Sequence, residues 1–237
     1  MDNVPFLVKH VKMLIGDKMQ KLNTILFDLD GTLIDTNDII VKSYKHAFKK
    51  VLPDFKIDIK TIIENIGPPL KEIFSLYTSD EKKLDALMEA YLDFYKKHEH
   101  DYFKLYPNVK ETLAKLKNMS INIAIVTSKF TASAQPSIEH FNLSQYFDAF
   151  ISLDMVDHPK PHPDSVYAAL KKFDNVGKAI MIGDNPSDIQ AGQNAEILSA
   201  GVAWSIKGKK RLEQERPDYI LKDMNDIFAI IKTESGE

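Results

Sequence analysis

The sequence predicts an α/β fold: a Rossmann-like parallel sheet core with an inserted four-helix domain. Short apolar runs alternate with amphipathic stretches through most of the chain, which is typical of a parallel sheet covered by helices on both faces. From residue 36 to about residue 104 only helical periodicity is found. We therefore predict a core of residues 19–35 and 105–237, interrupted by a helical domain of residues 36–104.

The sheet is predicted from five apolar runs that are too short to be helices. They cover residues 24–29, 121–127, 179–182, 199–203 and 219–221. Amphipathic stretches between and after them predict the helices that cover the sheet. Their apolar positions are Val109, Leu113 and Leu116, then Val166, Ala169 and Leu170, then Ile227, Ile230 and Ile231.

The inserted domain is predicted from four helical stretches. Apolar residues recur every three or four positions within residues 40–51, 59–66, 70–77 and 84–95. Gly67-Pro68-Pro69 separates the second stretch from the third, and proline suits the first turn of a helix.

Residues 1–18 show the periodicity of an amphipathic helix, with lysines between the apolar positions. The lysines interrupt any apolar block and no small-residue cleavage site follows, so the segment does not resemble a signal peptide. We expect it to pack on the core or on a second copy of the chain, as in a homodimer. Binding to a membrane surface, and a true start at Met19, are the alternatives.

Composition narrows the class of protein. Hydrophobic residues make up 44% of the chain and charged residues 27%, which is ordinary for a soluble globular protein. A net charge of −3 offers no basic surface for nucleic acid or an anionic membrane. The absence of cysteine excludes disulfides and thiol chemistry and fits a reducing compartment. We expect a cytoplasmic protein that binds neither nucleic acid nor membrane.

Candidate functional residues lie at the ends of the predicted strands and in one proline-rich loop. They are Asp28 and Asp30 after the first strand, Thr127 and Ser128 after the second, Asp184 after the third, Asp188 in the next helical turn, and Lys160 in the loop HPKPHPD. Ligands of such sheets bind beyond the carboxyl ends of the strands, so these side chains should meet in one crevice. Several acids so close together need a cation, and oxygen ligands favour magnesium, which prefers a phosphate as partner.

Each of these residues has an ordinary structural explanation when it is taken alone. An isolated Asp-x-Asp is more often a turn or a helix cap, and Asp188 could serve only the dipole of its helix. Lys160 could be a solvated loop charge. Their occurrence in this order, each beside an apolar run or in a loop between two, favours a functional site.

Four segments together resemble the signature motifs of the haloacid dehalogenase superfamily: DLDGTLIDT, IAIVTSK, KPHPD and MIGDNPSD. The resemblance extends from about residue 22 to the end of the chain and implies that the insertion is the small α-helical cap of that superfamily. It implies that Asp28 attacks phosphorus and forms an aspartyl-phosphate, while Asp30 protonates the leaving oxygen and then activates water. The acid at position 30 favours phosphoryl transfer over cleavage of a carbon–halogen bond.

The resemblance also implies a cofactor. Magnesium would be held by Asp28, by the backbone carbonyl of Asp30 and by Asp184. Asp188 would orient Lys160 or a metal-bound water.

Substrate contacts are implied in the same way. Thr127 and Ser128 would bind the phosphoryl group, and Lys160 would balance its charge. IGPPL, GVAWSIKG and PDYIL resemble the phosphoglycolate phosphatase group and, within it, bacterial enzymes that hydrolyse inorganic pyrophosphate. In the cap, we expect Gly67 to line the site. Lys71 follows the Gly-Pro turn and offers a positive charge to a second anionic group of the substrate; a solvated cap lysine is the alternative.

His158 and His162 flank Lys160. We find no carboxylate in sequence reach that would pair with them, so we interpret them as solvated loop residues rather than catalysts.

These observations predict a magnesium-dependent phosphohydrolase for a small anionic substrate, inorganic pyrophosphate or 2-phosphoglycolate. A phosphomutase would share every one of these residues and stays an alternative. A non-catalytic binding protein on the same scaffold is the third hypothesis, and it is disfavoured because each expected catalytic position holds the expected residue type.

Overall fold

A parallel sheet of six strands forms the centre of the structure, a computed structural model that describes residues 21–236. In chain order the strands are β1 (Leu22–Phe27), β2 (Ile34–Asp35), β3 (Lys104–Leu105), β4 (Asn122–Val126), β5 (Ala149–Ile151), β6 (Lys178–Gly183), β7 (Leu198–Val202) and β8 (Tyr219–Leu221). The sheet order is β5-β4-β1-β6-β7-β8, and every neighbouring pair is parallel. The short strands β2 and β3 form a separate antiparallel pair.

Helices connect the strands and supply the insertion. They are α1 (Asn37–Val51), α2 (Ile59–Asn65), α3 (Leu70–Ser75), α4 (Glu81–Tyr102), α5 (Val109–Asn118), α6 (Thr131–His140), α7 (Asp164–Leu170), α8 (Pro186–Asn194), α9 (Lys209–Glu213) and α10 (Asp226–Ser235). No described helix is both long enough and apolar enough to pass through a bilayer.

The central strand β1 is buried on both faces. Ile25 and Phe27 belong to a core that includes apolar residues of α5 and α10, whereas Leu26 belongs to a second core with residues of α7 and α8. Side chains alternate across a strand, so one apolar run supplies both layers. This burial holds the carboxyl end of β1, where Asp28 follows, in a fixed position between β4 and β6.

The insertion, α1 to α4, is built around aromatic side chains. The ring of Tyr44 lies 5.5 Å from that of Phe74 and 5.2 Å from that of Tyr91, both in edge-to-face contact. At its base the chain leaves through β2 and returns through β3, where Ile34 pairs with Leu105 and Asp35 with Lys104. The division of the chain into core and cap domains stays a prediction.

The predicted fold class is confirmed. All five predicted strands are present, with ends that differ by two residues at most, and the four helices of the insertion follow the predicted stretches. The edge strand β5 and the helices α6 and α9 were not predicted. The predicted amphipathic segment at residues 1–18 and the alternative start at Met19 lie outside the described residues.

Candidate active site

Three neighbouring strands are each followed by a polar side chain at the carboxyl end of the sheet. Asp28 directly follows β1, Thr127 follows β4 and Asp184 follows β6, and these strands lie side by side in the order β4-β1-β6. All three residues are buried. Neighbouring parallel strands bring together residues that lie more than 50 positions apart in the sequence.

Lys160 lies at the centre of this group. Its Nζ donates to Asp28 Oδ1 at 2.7 Å, to Asp188 Oδ1 at 2.6 Å and to the backbone carbonyl of Val126 at 2.9 Å. Burial alone would lower the pKa of Lys160, but the carboxylates of Asp188 and Asp28 outweigh it and raise that pKa above its ordinary value. The lysine is therefore a fixed positive charge beside Asp28.

The segment GDNPSD explains the position of Asp188. Pro186 begins α8, and the backbone N–H of Asn185 donates to Asp188 Oδ2 at 3.0 Å, which closes the first turn as a capping box. A Cβ at Gly183 would overlap the Asp188 side chain, so only glycine fits there. Asp188 uses one oxygen to close the turn and the other to bind Lys160.

Three carboxylates share the crevice. One oxygen from each of Asp28, Asp184 and Asp188 lies within 4.8 Å of the others, and all three residues are buried. Burial raises the pKa of Asp28 to about 7, an effect that Lys160 opposes and Asp188 reinforces. Burial and the charges of Asp28 and Asp188 also raise the pKa of Asp184 well above its usual range. One ammonium does not neutralise three buried carboxylates.

This imbalance fits a hard divalent cation. The donors that converge are carboxylate oxygens alone, which is the ligand chemistry of magnesium rather than of zinc or copper. A cation held by Asp28 and Asp184 would stabilise their ionised forms against burial, which is the main cause of both raised pKa values. The residues present therefore fit the implied magnesium.

The turn after β1 brings backbone close to these acids. Gly31 has a φ of +80°, and a Cβ at this position would overlap the Asp184 carboxylate. Its N–H donates to the carbonyl of Ile34 at 2.8 Å, which closes a tight loop. Glycine is required here both for its backbone conformation and for the close approach.

The side chain of Asp30 has a different partner. Lys129 Nζ lies 3.0 Å from each Asp30 carboxylate oxygen and also donates to the Tyr95 hydroxyl of α4 at 2.8 Å. Lys129 thus joins the second aspartate of the motif to a helix of the insertion. Lys129 was not among the site residues predicted from the sequence, although it is the last residue of the segment IAIVTSK.

Thr127 and Ser128 lie at the end of β4, where they were expected. Thr127 is buried, and its Oγ1 accepts from the backbone N–H of Lys129 at 3.2 Å. Ser128 is half-buried. Their roles toward a phosphoryl group stay predictions.

The insertion also reaches the crevice through the loop between α2 and α3. Asn185 Nδ2 donates to the carbonyl of Ile66 at 2.8 Å, and a Cβ at Gly67, whose φ is +122°, would overlap the Asn185 side chain. Lys207 Nζ donates to the carbonyl of Glu64 at 3.0 Å and lies 3.4 Å from Asn185 Oδ1. Gly67 therefore lies beside Asn185, and its role toward a substrate stays a prediction. Lys207, within GVAWSIKG, is a cation at the same place that was not predicted from the sequence.

Lys71 is exposed on α3 and makes no hydrogen bond or ion pair with residues 21–236. Its role as a substrate contact stays a prediction.

His158 and His162 are exposed, as expected, but the expectation that no carboxylate pairs with them is wrong. The Nδ1 atoms of His158 and His162 each lie 2.9 Å from a carboxylate oxygen of Asp164. Asp164 is the first residue of α7, so its side chain stands beside the loop that carries both histidines.

The chain is similar to known hydrolases over most of its length. A family model described as haloacid dehalogenase-like hydrolase matches residues 25–202. The curated protein named pyrophosphatase PpaX, from Bacillus cereus strain Q1, is 37% identical over 212 residues, which cover 89% of this chain and 97% of that protein. The protein of the same name from Bacillus anthracis gives the same identity and coverage.

Two solved structures are also similar to this chain over most of its length. A predicted phosphatase from Clostridium acetobutylicum is 30% identical with a TM-score of 0.77, over 90% of this chain and 99% of that one. A predicted phosphoglycolate phosphatase from Haemophilus somnus is 27% identical with a TM-score of 0.77, over 91% and 99%. These likenesses confirm that the chain is an enzyme of the hydrolase class. Because the matched segment contains all four motifs and the whole insertion, the chain belongs to the haloacid dehalogenase-like hydrolase family.

Proposed function

We propose that this hydrolase is a magnesium-dependent phosphatase that transfers the phosphoryl group of a small, multiply anionic substrate to Asp28 and then to water. The observation that carries the proposal is the position of Lys160. Its ammonium binds Asp28 at 2.7 Å and Asp188 at 2.6 Å within a buried crevice. Asp188 holds the buried Lys160 ammonium beside Asp28. The ammonium is therefore in a position to bind an anionic group that approaches Asp28.

Asp28 is the nucleophile in this proposal. Its Oδ1 accepts from Lys160, which leaves Oδ2 to attack phosphorus. The ammonium of Lys160 stabilises negative charge on the phosphoryl oxygens as the bond forms, and Thr127 supplies a hydroxyl donor at the end of the adjacent strand. Asp30 donates a proton to the leaving oxygen and afterwards takes one from the attacking water.

Asp28, Asp184 and the backbone carbonyl of Asp30 would hold the magnesium ion. When bound, the ion supplies the positive charge that lowers the repulsion between a carboxylate and an anionic phosphoryl group. Asp188 keeps Lys160 in place rather than binding the metal, because its two oxygens already accept from Lys160 and from the Asn185 N–H.

The substrate is proposed to be inorganic pyrophosphate, with 2-phosphoglycolate as the second candidate. The names of the PpaX relatives and of the Haemophilus somnus structure support these two compounds. Lys207 supports a second negative charge on the substrate. It is half-buried between the insertion and the crevice, its two acceptors are uncharged, and no carboxylate among the described residues lies within 4 Å of its ammonium.

A phosphate-release screen tests this proposal. With magnesium present, we expect the kcat/KM for pyrophosphate or 2-phosphoglycolate to exceed that for hexose monophosphates by at least about tenfold, which is about 1.4 kcal/mol of transition-state binding. A hexose phosphate that reacts faster than both anions contradicts the substrate assignment. Phosphate transfer within a sugar phosphate, without release of free phosphate, would instead identify a phosphomutase.

Two lysine variants separate the candidate contacts. Lys207→Ala should reduce the preference for pyrophosphate over a small aryl phosphate by about tenfold, the effect of one charge contact of about 1.4 kcal/mol. Lys71→Ala should leave this ratio unchanged if Lys207 is the contact. The opposite ranking of the two variants assigns the role to Lys71.

A further inference from the structure

A second group of side chains of the types that can ligate a metal lies outside the crevice. His158, His162 and Asp164 each place one ligand atom within 4.8 Å of the others. His158 Nδ1 is 2.9 Å from Asp164 Oδ2 and His162 Nδ1 is 2.9 Å from Asp164 Oδ1, so the carboxylate joins the two rings. The ring centroids of the two histidines are 4.5 Å apart.

These side chains face solvent and take no part in the proposed reaction. The side chains of His158 and His162 are 63% and 49% exposed and that of Asp164 is 29% exposed, whereas the side chain of Lys160, between the histidines, is 2% exposed. The loop therefore presents its lysine to the crevice and its histidines to the surface.

The loop is anchored from two sides, so the two histidines are held by ordered backbone. On the inner side Lys160 binds Asp28 and Asp188. On the outer side Asn194, at the end of α8, donates through Nδ2 to the carbonyl of Pro161 at 2.9 Å. Preorganised ligands lose less conformational entropy when a metal binds.

We propose that His158, His162 and Asp164 form a site for a divalent transition-metal ion, with Zn²⁺ as the best match. Two imidazole nitrogens and one carboxylate oxygen are typical ligands of Zn²⁺ and are a poor set for magnesium. Zinc–nitrogen bonds of about 2.0–2.1 Å in a tetrahedron place neighbouring ligand atoms about 3.3 Å apart. Whichever Asp164 oxygen becomes the ligand, one histidine nitrogen lies 2.9 Å from it, and this separation needs to open by only a few tenths of an ångström. One ligand atom from each of the three residues already lies within 4.8 Å of the others, so the remaining separations need to close by at most about 1.5 Å.

When the ion binds, the contacts between the histidines and Asp164 are replaced by bonds to the metal. Each Nδ1 becomes unprotonated and bonds to the ion, and one Asp164 oxygen becomes the third ligand. Water occupies the fourth position, because the three side chains are open to solvent on one side. The two metal sites of the chain would then be sorted by ligand type, oxygen atoms in the crevice and mixed nitrogen and oxygen atoms on the surface.

Titration of the full chain with Co²⁺ and then Zn²⁺ tests the proposal, at neutral pH and with excess magnesium to occupy the oxygen site. Tetrahedral cobalt with nitrogen ligands gives strong visible absorption bands, which cobalt in an octahedral oxygen site does not. We expect one equivalent of Co²⁺ to produce these bands and one equivalent of Zn²⁺ to remove them. The His158→Gln/His162→Gln double variant should lose the bands and bind Zn²⁺ at least about 100-fold more weakly, as measured by calorimetry.

His98→Gln is the matched control. His98 is also a partly exposed histidine next to a carboxylate, with its Nδ1 3.5 Å from Asp101, but among the side chains that the structure describes no second histidine joins this pair in a ligand group. This control should keep the bands and the zinc affinity of the parent chain. Circular dichroism checks that each variant is folded. The proposal is overturned if the parent chain shows no tetrahedral bands, or if the double variant keeps them.

Discussion

Lys160 and the carboxylates around it form a buried charge cluster in which each carboxylate has different partners. Asp188 is 1% exposed and binds Lys160 at 2.6 Å, whereas the side chain of Asp184 makes no hydrogen bond or ion pair with the described residues. Removing one partner of a buried ion pair destabilises the fold, because it leaves the other charge uncompensated. Removing a buried charge that has no partner should instead stabilise the fold. Two aspartates of one cluster should therefore respond to the same substitution in opposite directions.

The first prediction concerns these two aspartates in metal-free protein. Asp184→Asn should raise the melting temperature by at least about 2 °C, because it removes repulsion with Asp28 and Asp188. Asp188→Asn should lower it by about 6 °C or more, since Lys160 loses a charged partner. Calorimetry in a chelator measures both shifts, and a destabilised Asp184→Asn variant would show that the three carboxylates do not repel one another.

The second prediction concerns the proposed general acid. In the proposed mechanism Asp30→Asn removes both the proton donor and the base, so an aryl phosphate with a good leaving group should still phosphorylate the enzyme but not release phosphate. Acid quenching and peptide mapping should then find one phosphoryl group on the peptide that contains Asp28. An Asp30→Asn enzyme with wild-type turnover would remove Asp30 from the mechanism.

Most of the site could be predicted from the sequence because the residues follow apolar runs that end at one edge of a sheet. The missed residues, Lys129 and Lys207, act through long side chains. Lys129 reaches Asp30, which lies 99 positions earlier in the sequence, and also reaches the Tyr95 hydroxyl of the insertion. Such contacts between the insertion and the core depend on how the two pack together. The periodicity of apolar residues in the sequence does not predict that packing.

At the scale of elements, the four inner strands β1, β4, β6 and β7 are almost wholly buried, and all four were predicted. The two edge strands β5 and β8 each have three residues, two of them only partly buried, and of these two only β8 was predicted. α6 contains Pro136 and is rich in small polar residues, which weakens the amphipathic pattern. Tertiary packing decides the structure of β5 and α6.

The start of α6 depends on one carboxylate, and this leads to the third prediction. Asp154 accepts from the Thr131 N–H at 2.8 Å and from the Thr131 hydroxyl at 2.9 Å. The hydrogen bond from the Thr131 N–H, and others from nearby hydroxyls, lower the pKa of Asp154 from 3.8 to about 2. A lowered pKa means that the ionised form stabilises the fold above about pH 4 and that this contribution disappears as the pH falls toward 2.

Urea unfolding at a series of pH values measures the contribution of Asp154. The parent chain should be more stable than Asp154→Asn at pH 6, and the difference should shrink between about pH 4 and pH 2. Asp157→Asn is the control, because Asp157 is exposed in the same loop region and makes no hydrogen bond with described residues. A difference for Asp154→Asn that does not change with pH would contradict the capping role.

At the scale of the whole molecule, the fold places an oxygen-lined crevice between the sheet and the insertion. The fourth prediction follows from linkage between magnesium binding and folding. When the magnesium concentration is about 100 times its dissociation constant, binding adds about 2.7 kcal/mol to the free energy of unfolding. For a chain of this size this raises the melting temperature by about 5–10 °C. A chelator should abolish both this shift and phosphate release, and calcium should restore little activity because it prefers more ligands at longer distances. Full activity in excess chelator would contradict the metal assignment.

The central claim is that Asp28 is the nucleophile, and the rate of phosphate release by Asp28→Asn tests it most directly. Asparagine keeps the size of the side chain but has no carboxylate to attack phosphorus. With saturating magnesium and pyrophosphate, we expect kcat to fall by at least about 10⁴-fold, about 5 kcal/mol in activation free energy, while circular dichroism shows an unchanged fold. An Asp28→Asn enzyme that keeps kcat within about tenfold of the parent value would contradict covalent catalysis by Asp28.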